Sequence, residues 1–210
     1  MSAAPALRSA AELSAAPGDL GRARAAVREA LPGPPDHEEA RHRILAFMAE
    51  HPDALDRTCP EGHLTGSALV VDPASLRTLL LFHAKVQRWL QPGGHADGDG
   101  DLAHVALREA TEETGMAGLR VVTPAIDLDV HRFHDARLRD PDHLHLDVRH
   151  LVLVPPGSVV ATNHESEAHA WVTEAELPGY DVDAGTVRMA AAGLALLRAH
   201  PELGRWSRPS

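Results

Sequence analysis

The chain has 210 residues and carries 20 lysines and arginines against 30 aspartates and glutamates, a formal net charge of -10. With that balance and no basic block, the composition argues against binding to polymeric nucleic acid or an anionic membrane. An anionic small substrate is compatible with it, provided a bound cation reverses the local field. Cys59 is the only cysteine. An intrachain disulfide and a thiolate metal cage are therefore excluded, and a reducing, cytoplasmic setting is expected. No apolar run approaches the ~20 residues needed to span a bilayer, and the opening segment lacks the basic-then-apolar pattern of a signal peptide.

Residues 1–17 contain much alanine and proline without periodicity and are expected to fray. Asp19 to Leu31 places Leu20, Val27 and Leu31 at helical spacing until "PGPPD" stops it. Asp36 with Glu39 three residues on suggests a capping box opening a second helix, which carries Ile44, Leu45 and Met48 inward and ends near His51-Pro52. Residues 1–55 are thus expected to form a helical extension packed on a main domain at 56–205.

From Thr65 the period changes. "GSALVVD" and "TLLLFHA" are short apolar runs expected to form a β-hairpin. "RWLQPGG" is extended and ends in a turn. Leu102 to Thr114 is a helix. "LRVVTP" and "AIDLDVHRF" are strand-like, "HLHLDVRHLVLV" suits a central strand, "EAHAWVT" is a strand, and "TVRMAAAGLALLRAH" is a closing helix. Helices interleave with strands without strict repetition, so the expected class is α/β, a mixed sheet with helices on both faces.

The chemistry concentrates in "GGHADGDGDLAHVALREATEETGM", Gly93 to Met116. At about 100° per residue, Glu109, Glu112 and Glu113 share one ridge of the helix, within an arc of roughly 100°. Ala103, Ala106, Leu107 and Ala110 form the buried face. Arg108 and Glu112 are four apart and can pair, while Glu109 and Glu113 repel at the same spacing. Gly115 suits a left-handed C-cap. Clustered hard oxygen ligands with a locking arginine call for Mg²⁺ or Mn²⁺. Taken alone, "REATEETG" is equally readable as a solvated acidic face.

With the glycine pair upstream, the stretch resembles the Nudix box, G-x5-E-x7-R-E-U-x-E-E-x-G-U, with every spacing kept from Gly94 to Met116. It departs twice. Gly100, flanked by Asp99 and Asp101, stands where the first glutamate belongs, and Ala110 is small for its position. The resemblance runs over roughly residues 37–200. It implies the Nudix α/β/α sandwich and hydrolysis of the diphosphate in a nucleoside diphosphate linked to another moiety, with no single substrate.

By that resemblance Glu109, Glu112 and Glu113 are the metal ligands, with the Gly94 carbonyl as a further one. Arg108 is the box arginine, and Glu109 or Glu112 is a candidate base. Glu165, in a loop expected opposite the helix, is favoured as metal ligand or water-orienting base, with Glu167 the near alternative. Gly100 is read as a defect in the supporting shell, so Gly100→Glu is expected to raise activity or metal affinity. Asp99 or Asp101 partly substitutes, and Asp101 is a natural N-cap.

Lys85 (the only lysine) and Arg88 are candidate phosphate contacts, and Trp89 reads as core before base-stacking. Arg132 and Arg149 are strand residues that could face the cleft. Among fifteen histidines, His143, His145 and Asp147 alternate on one strand, with His131 on a neighbour, and His83, His95 and His63 nearby. His95 and His145 are the better substrate-binding candidates. A second metal site and a merely structural role both stay open. Two further readings compete with a hydrolase: an isomerase of the isopentenyl diphosphate type, and a non-catalytic Nudix-fold module. The expected partner is a small-molecule diphosphate, and the arm could exchange across a homodimer.

Overall fold

The computed structural model describes residues 4–134, 142–161 and 166–206. In chain order the regular elements are β1 (Ala6–Ser9), α1 (Leu20–Glu29), α2 (Pro35–Glu50), β2 (Gly62–Asp72), β3 (Arg77–His83), β4 (Arg88–Leu90), β5 (Gly93–His95), α3 (Leu102–Thr114), β6 (Arg120–Thr123), β7 (Asp127–Phe133), β8 (His143–Leu153), β9 (Ser166–Val172) and α4 (Ala184–Ala199). The strands form one mixed sheet with main order β1-β6-β8-β2-β3-β4, while β5 pairs with β2, β7 with β8 and β9 with β3. β8 is central as expected: it runs parallel to β2 and antiparallel to β6 and β7. The α/β class with helices on both faces holds. None of its helices is long and apolar enough to cross a membrane among the described residues.

Strand alternation assigns the two faces. Leu64, Leu146 and Val148 pack with Ile44 and Met48 of α2 and Val105 of α3. Ala68, Val70 and Val152 pack with Ala103, Ala106 and Ala110 of α3. On the opposite face Leu69, Val71, Leu151 and Leu153 pack with Met189, Ala190 and Leu194 of α4. That second face therefore also holds His63, Thr65 and Ser67 of β2 and His145, Asp147 and Arg149 of β8.

Two expectations for the first 55 residues are corrected. Residues 6–9 do not fray but pair with β6, Ala6 opposite Thr123 through Ser9 opposite Arg120. No capping box opens α2 at Asp36. The helix starts at Pro35, with Pro34 at the N-cap, because a proline at the first helical position has its φ preset and no N–H to leave unpaired.

Under the start of α4 lies a charged network. Arg149, 1% exposed, donates to Asp147 at 2.7 Å, Asp127 at 3.1 Å and Asp129 at 3.1 Å. Arg188 of α4 donates to Asp127 at 2.9 Å and Asp129 at 2.8 Å. Thr65 and Ser67 donate to the other Asp147 oxygen at 2.8 and 2.9 Å. Arg149 thus joins strands to helix and does not face a cleft. Burial pushes the Asp127 and Asp129 carboxyls up, and their hydrogen bonds and the two guanidiniums more than reverse this, leaving both below the ordinary aspartate value. Their contribution to stability is complete above the unfolded value near 3.9 and is lost as pH falls through the lower folded values. Replacing Arg149 with Met would take a guanidinium from Asp147, Asp127 and Asp129, of which Arg188 still holds the last two, and a loss of about 3–5 kcal/mol is expected in urea unfolding at neutral pH. A loss below about 1 kcal/mol would contradict the network's role.

Candidate functional site

Helix α3 is fixed at both ends by local chemistry. Asp101 is its N-cap, accepting from the His104 amide, and Gly115 closes it at φ 64° in the left-handed region. Its buried face is largely small, so the helix sits close to β2 and β5. At Gly94 of β5 the strand backbone meets the end of a helix side chain. A Cβ there would fall 2.5–2.8 Å from the carboxylate atoms of Glu109, so only glycine lets this backbone and this carboxylate meet.

The arginine is engaged differently from the expected Arg108–Glu112 pair. Arg108 Nη2 donates to Glu109 Oε1 at 2.6 Å and to the His95 carbonyl at 3.0 Å. Arg108 therefore ties the Glu109 carboxylate to the β5 backbone, while the charge of Glu112 also acts on Arg108. Burial pushes the Glu109 carboxyl above the ordinary glutamate value. Arg108 opposes this, and the negative charges of Glu112 and Asp97 add to it. Glu113 is half-buried and Glu112 exposed. Among the described residues the three glutamates are not gathered into a set with all ligand atoms within 4.8 Å, as repulsion between like charges at these spacings requires. A desolvated carboxylate beside a glycine backbone, with two more carboxylates on the same ridge, fits a hard divalent cation, which reverses that repulsion.

Gly100 is not a gap in this arrangement. A Cβ there would overlap the carbonyl oxygen of Asp19 and come within 3.2 Å of that of Ala16. The N-terminal segment lies against it: Gly100 N donates to Ala16 O at 2.9 Å, Gly18 N to Gly98 O at 2.7 Å, and Ala16 N to Asp99 Oδ1 at 2.8 Å. Asp99, 5% exposed, also accepts from the Asp101 amide and from His104, and Arg22 of α1 pairs with Asp101 at 2.5 Å. The reading of Gly100 as a defect open to repair is corrected: the space for a side chain belongs to the arm. A pocket of about 320 Å³ adjoins Arg108 and this arm. Its lining carboxylates Asp56, Asp97 and Asp99 make it a poor receptor for phosphate.

The other candidates divide. His95 and His145 lie together, ring centroids 5.4 Å apart. His63, 2% exposed, is part of β2 and lies 4.7 Å from His95 and 5.1 Å from His145. Burial first, and then the neighbouring imidazoles, hold His145 down at about 2. Lys85 and Arg88 are exposed on the β3–β4 turn, which adjoins the start of β9 through His83 opposite Ser166, whereas α3 packs on β2, β5, β6 and β8. Arg132 is exposed, 4.0 Å from Asp142. It is in register with Leu144, next to the His131–His145 pair and so on the other face from His145. Trp89 packs edge-on against Phe82 and Tyr180. Glu165 lies outside the described residues, and Glu167 is exposed on β9. Asp127, Asp129 and Arg188 went unread in the sequence, since nothing local marks a strand aspartate as the partner of a helix arginine sixty residues away.

With this geometry in hand, the family follows: the NUDIX domain model matches residues 63–191, more than half of the chain, and the chain belongs to the NUDIX family. Its fold is similar to that of an Ap4A hydrolase from C. elegans solved as a binary complex, at 17% identity and TM-score 0.50, covering 65% of this chain and 98% of that one. A NUDIX-family hydrolase from Clostridium perfringens is 18% identical over 65% of this chain and 97% of its own, with TM-score 0.45. No curated protein matches at the sequence level.

Gly100→Glu is expected to destabilise the protein by about 1–3 kcal/mol through overpacking, seen as a lower melting temperature, with no gain in metal affinity. An unchanged melting temperature would mean that the arm yields freely at this contact.

Proposed function

We propose that this protein is a divalent-cation-dependent hydrolase of phosphoanhydride bonds, acting on a small molecule in which a nucleoside diphosphate is linked to another group. The observation that carries the reading is the contact of Gly94, Glu109 and Arg108: a largely desolvated carboxylate held by an arginine against a glycine backbone, in the C-terminal half of the family's acidic helix. Glu109, Glu112, Glu113 and the Gly94 carbonyl would hold Mg²⁺ or Mn²⁺. When bound, such a cation neutralises phosphate charge and lowers the pKa of attacking water.

The residues of the chain have distinct duties in this reading. Arg108 orients Glu109 and opposes the rise in its proton affinity. Glu112, the most exposed of the three carboxylates, is reachable by substrate and water. By the family resemblance, Glu165 would orient or deprotonate the attacking water. Lys85 and Arg88 meet the distal phosphate or the group attached to it, while Arg132, facing away, does not. Gly100 no longer favours a non-catalytic module, since the arm accounts for the missing side chain. His95 is the one observation that favours an isomerase, because it follows Gly94 directly and faces the imidazole cluster.

Release of nucleoside monophosphate from a panel of nucleoside diphosphate derivatives with Mg²⁺ or Mn²⁺ tests the reading. At least one derivative is expected to turn over, and Glu112→Gln to reduce kcat roughly a hundredfold or more. Turnover of isopentenyl diphosphate alone, or activity indifferent to Glu112→Gln, would overturn it. Gly94→Ala is expected to displace the flexible end of Glu109 rather than the backbone. The melting temperature should then hold within a few degrees while kcat falls roughly a hundredfold, a split that a folding defect would not give.

A further inference from the structure

A second cluster of ligating side chains lies on the α4 face of the sheet, beyond the Arg149 network. His63 of β2, His95 of β5 and His145 of β8 each offer a ring nitrogen, and these three atoms all lie within 4.8 Å of one another. The register explains the meeting. His63 is opposite His145 in the parallel β2–β8 pair, and His95 is opposite Thr65, two residues along β2 on the same face. His143, 7% exposed, adds a fourth imidazole, with its Nε2 3.1 Å from the Nε2 of His145 and its ring 4.7 Å from that of His63. Phe133 stacks on the His145 ring at 4.8 Å and limits its rotation.

We infer that His63, His95 and His145, with His143 beside them, form a binding site for a borderline divalent transition metal of the Zn²⁺ class, distinct from the glutamate ridge of α3. Imidazole nitrogen suits such ions, whereas the oxygen donors of α3 suit Mg²⁺. Zinc–nitrogen bonds of about 2.0–2.1 Å in a tetrahedron put ligand nitrogens about 3.3 Å apart. The three ring nitrogens, all within 4.8 Å of one another, lie within about 1.5 Å of that spacing. Solvated surface histidines would be exposed, but His63 and His143 are buried. A further imidazole adjoins the cluster: the His131 ring lies 5.4 Å from that of His145 and is itself held by Asp129 at 2.9 Å. The site would pin His95, and hence the Gly94 backbone that meets Glu109, to the central strands. It does not depend on the hydrolase reading, because its ligands and its readout are separate.

The test is Co²⁺ titration of the full chain after chelator treatment, followed by visible absorption, with Zn²⁺ added in competition. The site is supported by one equivalent of Co²⁺ giving the intense d–d bands of tetrahedral nitrogen coordination, without a thiolate charge-transfer band and displaced by Zn²⁺. His145→Asn and His95→Asn should each weaken binding at least about tenfold, with unchanged circular dichroism, while Glu112→Gln leaves the spectrum as it is. A wild-type protein with no tetrahedral Co²⁺ spectrum overturns the inference whatever the variants do. So does a spectrum carrying the thiolate band and lost in Cys59→Ser, which would move the site to His51, Cys59 and Glu61.

Discussion

One close approach organises the molecule: the backbone of β5 at Gly94 lies in contact with the carboxylate of Glu109 on α3. The helix backbone comes near the sheet at Gly66 of β2, where a Cβ would lie 3.0 Å from the Leu102 carbonyl oxygen, and the small side chains of Ala103, Ala106 and Ala110 pack on the same face. The carboxylate is in turn desolvated, which raises its proton affinity, and Arg108 opposes that rise. Packing and electrostatics at this point are thus one arrangement, and an alanine-rich helix face is the condition for the acidic one.

The N-terminal segment belongs to the same arrangement. Ala16 and Asp19 fill the space beside Gly100, and the amides around Asp99 and Asp101 are shared between the arm and the start of α3. α1 and α2 then close over the β-sheet as part of its first apolar cluster. A carboxylate that the resemblance places at position 100 is here exchanged for a backbone contact from the chain's own beginning. The position that looked damaged is an interface.

What the sequence disclosed follows the range of the forces involved. The caps at Asp101 and Gly115, the acidic ridge and the β2–β3 hairpin depend on neighbours a few residues apart, and all were legible. The class of fold followed from the alternation of periods. Contacts made at long range were not. The meaning of Gly100 rests on residues eighty positions earlier, and Arg149 looked like a cleft residue because its aspartate partners sit on other strands. The histidines show the boundary well. Alternation of His143 and His145 was visible, but their meeting with His63 and His95 needed the register of three strands. The start of α2 was missed for a local reason, since Pro35 outweighed Asp36 as the opening signal.

The central proposal is that Gly94 and the glutamates in the C-terminal half of α3 together hold a divalent cation. An anomalous-difference map from a crystal soaked in Mn²⁺ tests it most directly. The account predicts a peak at oxygen-ligand distance, about 2.0–2.2 Å, from the Gly94 carbonyl and a Glu109 oxygen. A map with density at the histidines alone, or with none beside Glu109, would contradict it.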